Sequence, residues 1–455
     1  MSYPRPIVQR TLIEWQALIR LGAPILVAQM AQMANAFVDT IMAGNASAYD
    51  LAAVGIGVSF WVPLSLFFVG VLGALQPIIS QHLGARQTPL IAPVAWQGVY
   101  IAMIGSLGMM ALLLGAMPVV ELFKPEPETA RIVDGYLKAF TWGVPFLLLL
   151  TALRGFTDGV GHTWVFMAFS LFGTLCNIPL NYIFIYGKLG LPAMGGIGCG
   201  WATTLSNFFA LLAMVVYLMR SQDYKPFAFF SHIAKWQWSL VQQILGLGLP
   251  IGFTLFVEVS MFCAIALFLA PMGAQTVAAH QMVLNATSMA FMVPLSLGMA
   301  VLLRVSFLVG EQAYDRAQLV AKSSLVFALL IACVNAPILF FGRETIAMIY
   351  TSEPAVIHIA KQLFMLAAIF QIVDVLQVVA VNALRGYKDT TIPMWIILLA
   401  FWGICLPMGY ILAYTEWVVT PAMGAGGYWV ALTLGLAVAA VLLSWRLMIF
   451  KPQRA

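Results

Sequence analysis

Residues 51 to 80 read LAAVGIGVSFWVPLSLFFVGVLGALQPIIS, a run without one Asp, Glu, Lys or Arg. Such runs recur along the whole chain, and they constrain its fold more than any motif does. A helix needs roughly 20 apolar residues to cross the hydrocarbon layer. Inside that layer every backbone N–H and C=O has to be satisfied by the protein itself. Only 9% of the 455 residues are charged and 62% are hydrophobic, where a soluble domain carries about 25% charge. A water-soluble fold of this composition would expose large apolar patches and aggregate. The chain reads as an all-α polytopic membrane protein.

Apolar windows bounded by charge or by Pro and Gly place twelve transmembrane helices at 17–43, 51–80, 92–117, 133–153, 163–187, 195–219, 243–271, 277–308, 318–341, 357–383, 392–415 and 424–448. The second and eighth are long enough to tilt or kink. An even count puts both termini on one side of the membrane. With the termini in the cytoplasm, 16 of the 22 Lys and Arg lie inside, Arg5, Lys451 and Arg454 among them. The positive-inside tendency favours that orientation. The opening MSYPRPIVQRTLIEWQALIR lacks the basic start, short apolar core and small-residue cleavage site of a signal peptide.

The chain repeats itself. LGAPI at 21–25 matches LGLPI at 247–251, ALRGFTD at 152–158 matches ALRGYKD at 383–389, and PAMGGIGCGWA at 192–202 matches PAMGAGGYWVA at 421–431. The three matches keep their order and nearly the same spacing. They imply two pseudo-symmetric six-helix lobes, 1–220 and 243–455, joined by a cytoplasmic linker at 221–242. Trp236 and Trp238 beside Lys235 suit the linker to the membrane interface. Six crossings per lobe make the repeat parallel, about an axis along the membrane normal, and two such lobes can rock to expose a central site to either side.

Several chemistries are excluded or unsupported. The net charge of +5 has no dense Lys/Arg cluster, so there is no nucleic-acid footprint. Cys176, Cys199, Cys263, Cys333 and Cys405 form no CxxC pair, and the five histidines, His232 among them, have no ligand spacing. No Walker loop is present, so direct use of ATP is not expected. No nucleophile–base or metal-ligand constellation marks an enzyme, and no cofactor is implied.

Against that background three carboxylates stand out. Asp39, Glu258 and Asp374 lie inside apolar segments, where Asp costs at least about 2.5 kcal/mol by insertion scales. Such a group faces a cavity or a partner. Arg304 is the best-placed basic partner for the second and third. Asn35 and Gln32 stand one and two turns before Asp39 and form a polar stripe with it. Glu258 and Asp374 fall near the middle of spans seven and ten. Packed in one lobe they would resist double ionisation, and would exchange a proton for a metal ion or a cationic drug. Asn177 and Asn181 share one face of span five, which suits either ion ligation or helix–helix glue. His280 and Gln281 are expected to be hydrogen-bonded packing residues. Pro24 and Pro250, matched in the repeat, each interrupt a span as a static kink or a hinge. Arg154 with Asp158, and Arg385 with Asp389, read as matched loop anchors.

Several motifs together resemble the NorM-type bacterial branch of the multidrug and toxic compound extrusion (MATE) family. They are FVDTIMAG at 37–44, ALRGFTDG at 152–159, NIPLNYIFIYGK at 177–188, GGIGCGWAT at 195–203, FVEVS at 256–260, VAAHQ at 277–281, QIVDVLQVVAVNALRGYKDT at 371–390 and GAGGYW at 424–429. The resemblance implies a multi-pass protein of the bacterial inner membrane that works as a monomer among lipids and exports cationic amphipathic drugs against inward Na⁺ or H⁺. It implies cation coupling at Asp39, Glu258 and Asp374, with Asn177, Asn181 and Thr203 around Asp39 as a Na⁺ site. Some relatives have Tyr where Phe370 stands here, which removes a phenol oxygen from the second-half site. The alternatives are a lipid-linked precursor flippase of the same superfamily and a passive channel. A flippase would carry a basic cavity, where the charges within these spans are acidic. A channel would equilibrate its substrate without concentrating it.

Overall fold

The computed structural model describes residues 6–450, apart from Phe123 and His232. Arg5, Lys451 and Arg454, which enter the expected sidedness, lie outside the described residues, as does His232. Among the described residues eleven helices are long and apolar enough to cross a membrane, and one bent pair supplies a twelfth crossing. We label the crossings α1 (Ile7–Ala46), α2 (Ala48–Gly84), α3 (Thr88–Leu122), α4 (Pro127–Thr141 and Val144–Gly159, bent by 45°), α5 (Thr163–Tyr186), α6 (Gly196–Arg220), α7 (Trp238–Met272), α8 (Ala274–Gly310), α9 (Tyr314–Tyr350), α10 (Pro354–Gly386), α11 (Thr391–Tyr414) and α12 (Ala425–Ile449). Each corresponds to one expected span. The fourth is the one that breaks, where the chain turns through Trp142 and Gly143 ahead of Pro145.

The helices gather into two compact units whose boundaries differ from the expected lobes. The first unit is Ala23–Gly252, and the second joins the described residues up to Gly22 with those from Phe253 onward. The chain thus changes unit inside α1, beside Pro24, and inside α7, just after Pro250. The reason lies in side chains that the hydropathy pattern does not separate. At the start of α1, Leu18 is fully buried in the core of the second unit, and Trp15 stacks on Phe327 at 4.9 Å. Glu14 receives hydrogen bonds from Arg304 at 2.7 Å and Arg316 at 2.8 Å. At the start of α7, Val241, Ile244 and Ile251 belong to the core of the first unit.

The expected linker at 221–242 is docked on the first unit. Its 3₁₀ turn, Gln222–Phe227, buries Tyr224 and Phe227. Gln97 then grips the following strand of backbone at two points. Its Nε2 donates to the Lys235 carbonyl at 3.0 Å, and its Oε1 accepts from the Gln237 N–H at 3.0 Å. Trp96 and Tyr100 donate to the carbonyls of Phe229 and Ala234, each at 2.8 Å. Trp236 and Trp238 remain exposed and stack at 6.2 Å.

The repeat is real in detail, and its register is not the one the motifs suggest. The Met194 N–H donates to the Phe184 carbonyl at 3.0 Å, and the Met423 N–H to the Leu412 carbonyl at 2.9 Å. The residues that follow, Gly195 and Gly424, take left-handed φ values of 54° and 57°, a region open to glycine without a Cβ clash. The ALRG match, however, slips by one helical turn. A Cβ on Gly159 would lie 2.8 Å from Ile79, and one on Gly386 would lie 2.9 Å from Val305. Ile79 and Val305 keep the offset of LGAPI and LGLPI, so Gly386 matches Gly159 and not Gly155. Arg385 therefore occupies the place of Asp158, with inverted charge. Both are buried in helices and neither anchors a loop. Asp158 pairs with Arg154 at 3.2 Å, while Asp389 pairs with Arg446 at 2.5 Å.

Candidate ion-coupling sites

In the first unit α1 and α5 run side by side in constant register. Ser170 Oγ donates to the Ala28 carbonyl at 3.4 Å, Thr174 Oγ1 to the Ala31 carbonyl at 3.2 Å, and Tyr186 Oη to the Met42 carbonyl at 3.0 Å. Between these rungs the carboxylate of Asp39 faces the amide of Asn181, whose Nδ2 donates to Asp39 Oδ1 at 2.5 Å and to Asn177 Oδ1 at 2.8 Å. From α6, Thr203 Oγ1 donates to Asp39 Oδ2 at 3.3 Å, and Cys199 Sγ lies 3.8 Å from the Asp39 carbonyl. Asn177 and Asn181 are fully buried and Asp39 is half-buried. Asn181 Oδ1 and Asn35 Oδ1 are buried without a protein hydrogen-bond partner. Asn181 is thus glue through its nitrogen and retains a free oxygen. Gln32 is exposed and Asn35 half-buried on the same helix as Asp39.

A residue the sequence reading passed over sets this geometry. Asp50 caps α2 with Ser47, whose hydroxyl donates to Asp50 Oδ2 at 2.7 Å. The other oxygen of Asp50 accepts the Gly196 N–H at 2.6 Å, at the start of α6. A carboxylate there is favoured by the unpaired N–H groups and dipole of the helix terminus. The contact fixes the height of α6, and with it Thr203 opposite Asp39.

In the second unit α10 is the most enclosed crossing. Asp374 is buried on it, and Gln377, one turn on, donates to Glu258 Oε1 of α7 at 3.3 Å. The two acids therefore sit in one neighbourhood, close enough for the charge of Glu258 to act on Asp374, and Arg385 acts on Glu258 without forming an ion pair. Beside Glu258 a π-helical segment, Leu399–Cys405 within α11, turns Trp402 so that its Nε1 reaches the Val257 carbonyl at 3.4 Å. Extra-wide turns of this kind re-aim side chains at functional sites. Arg304, the expected basic partner of these acids, is held by Glu14 instead. Among the described residues none of Asp39, Glu258 and Asp374 forms a salt bridge.

The remaining candidates separate. Phe370 is buried and meets Trp429 edge-on at 5.7 Å. Gln281 is exposed. His280 is fully buried, but it is not the hydrogen-bonded packing residue expected, since neither ring nitrogen has a protein partner. Pro24 and Pro250 both lie inside continuous helices.

A two-unit, all-helical bundle with unpaired acids inside its crossings defines a polytopic membrane transporter. The MatE family model matches residues 24–183 and 250–411, and the chain belongs to that family. It is 43% identical to a probable multidrug resistance protein NorM of Shewanella oneidensis, over 96% of this chain and 95% of that protein. It is 39% identical to the multidrug resistance protein MdtK of Yersinia pestis, over 97% and 96%. Its fold is that of a eukaryotic MATE transporter, AtDTX14, with a TM-score of 0.88 over 97% of both chains at 19% identity. An outward-facing multidrug resistance MATE transporter of the MOP superfamily gives a TM-score of 0.87, covering 98% of this chain and 99% of that one at 17% identity. The chain is thus a NorM-type MATE protein, a transporter and not an enzyme.

Proposed function

We propose that this protein is a secondary active multidrug exporter that releases cationic amphipathic compounds in exchange for inward Na⁺ or H⁺. The observation that carries the reading is the state of the three acids: each lies inside a membrane crossing, and among the described residues none forms a salt bridge. A carboxylate so placed is available to an incoming cation. Around Asp39 the carboxylate, Asn177 Oδ1 and the Thr203 hydroxyl offer oxygens that suit Na⁺, and Asn181, which turns its amide nitrogen to Asp39, adds its unpartnered oxygen on rotation of the amide. Glu258 and Asp374 suit a shared proton or a displaceable cation. Pro24 and Pro250, beside the points where the chain changes unit, are the proposed hinges. We place the protein in the bacterial inner membrane as a monomer, with both termini in the cytoplasm.

The test is ethidium uptake into inverted vesicles, with Na⁺ and H⁺ gradients imposed separately. Asp39→Asn, Glu258→Gln and Asp374→Asn are expected to lower gradient-driven uptake at least tenfold at equal membrane abundance. Unchanged uptake in all three, or uptake without any imposed gradient, overturns the reading.

A further inference from the structure

The second unit holds a cavity of about 840 Å³ between the starts of α8, α10 and α12. Thr276, Gln362, Leu366, Tyr414 and Ala425 are among its lining residues. It is open, contains no charged side chain in its lining, and lies at the end of the unit opposite Arg385. What lies beneath it is unusual. One turn further along each helix, four residues on from Thr276, Leu366 and Ala425, stand His280, Phe370 and Trp429. These three form a single aromatic layer. The rings of His280 and Trp429 meet at 5.9 Å, and those of Phe370 and Trp429 at 5.7 Å.

Both nitrogens of His280, the indole Nε1 of Trp429 and both amide atoms of the adjoining Gln371 are buried without protein hydrogen-bond partners. Burying so many polar atoms unpaired is costly, at roughly 1–3 kcal/mol each, unless something small enters and bonds to them. One more turn along α10 beyond Phe370 comes Asp374. The drop from the cavity floor to that carboxylate is about 12 Å, for eight residues of helix.

We infer that this cavity is the access route by which the coupling ion reaches Glu258 and Asp374 from outside the cell, and that His280 is the relay in its aromatic gate. The inference rests on the proposed antiport and on cytoplasmic termini, which put the cavity on the outer face. The ligand class is water with a proton or a small monovalent cation. His280, Phe370 and Trp429 are all buried, a closed layer that suits a small ion and not a drug-sized molecule, so the route is taken as separate from that of the exported compound. His280 is a positioning and relay residue: it hands the ion on and does not hold it.

The experiment uses the full chain with its five native cysteines replaced by serine. Thr276→Cys is treated with a membrane-impermeant cationic methanethiosulfonate from the outer face, with Ala278→Cys on the exposed side of α8 as control. Modification at 276 is expected to slow gradient-driven ethidium efflux at least fivefold and to leave ethidium binding to the purified protein unchanged. Modification at 278 is expected to do neither. His280→Phe is expected to slow efflux similarly with binding intact, and His280→Gln to restore part of it. Full-rate efflux after modification at 276, or in an abundant His280→Phe protein, overturns the access route. If His280→Phe does not accumulate, the labelling at 276 decides. Should Glu258→Gln and Asp374→Asn stop efflux while 276 and 280 tolerate change, the antiport stands and this route falls. If no gradient drives efflux in the unmodified chain, it is the antiport that fails.

Discussion

Glu14 and Asp39 are carboxylates on the same helix, and their surroundings give them opposite roles. Glu14 is held by two guanidiniums, and its side chain is only 4% exposed. Removing one member of a buried ion pair leaves the other charge uncompensated, at about 3–5 kcal/mol. Arg316 is half-exposed and softens that cost, so Glu14→Gln is expected to lose about 3 kcal/mol. In detergent it should melt several degrees lower. Asp39 has amide and hydroxyl partners that serve a neutral side chain as well as a charged one. Asp39→Asn is therefore expected to melt within a degree or two of the parent while losing gradient-driven efflux. A large fall in melting temperature for Asp39→Asn would make it a structural residue. An unchanged melt for Glu14→Gln would remove the clamp as a source of stability.

At the scale of the elements, the matched glycines before α6 and α12 provide an internal control. Both Gly195 and Gly424 have positive φ with nearly the same ψ, so Ala at either meets a similar backbone strain, on the order of 1–3 kcal/mol. A Cβ on Gly424 meets open space, while one on Gly195 runs into the Asp50 carboxylate. Gly195→Ala is thus expected to be the more destabilising by 1–3 kcal/mol, the usual range for overpacking, and to reduce efflux by displacing Thr203. Equal melting temperatures would mean that Asp50 gives way freely. The same elements show what a sequence discloses. Twelve crossings were legible because lipid demands about 20 apolar residues from each. Asp39, Glu258 and Asp374 were legible because charge inside such a run is rare. The unit boundaries were not, because Leu18 and Ile251 look alike to a hydropathy scale whichever core they enter. Asp50 and Glu14 were hidden for a related reason. Each sits near a helix end, where an acid needs no explanation, and its partners are 146 and about 300 residues away. The ALRG repeat misled because four residues preserve the helix face while shifting the height.

For the whole molecule, sidedness and charge balance are linked. Cysteine at Lys188, in the α5–α6 connection, is expected to react with an impermeant thiol reagent on spheroplasts, and cysteine at Gln312, between α8 and α9, only after permeabilisation. The reverse pattern would invert the molecule and move the cavity of the second unit to the cytoplasmic face. In the expected orientation, one positive charge moving inward gains about 2.3 kcal/mol per 100 mV, or roughly a fortyfold gradient at 1.4 kcal/mol per tenfold. A monovalent cationic drug leaving in one-for-one exchange cancels that gain. Two acid clusters resolve the difficulty if each carries one ion, because a net charge then enters with every cycle. Uptake into inverted vesicles should accordingly respond to an imposed potassium–valinomycin potential as well as to the ion gradient. Disabling the second-unit cluster with Asp374→Asn reduces the exchange to one for one. Its residual transport should keep its dependence on the ion gradient and lose its dependence on potential. Residual transport that still steepens with potential as the parent does would mean that a single cluster carries the whole of the coupled charge.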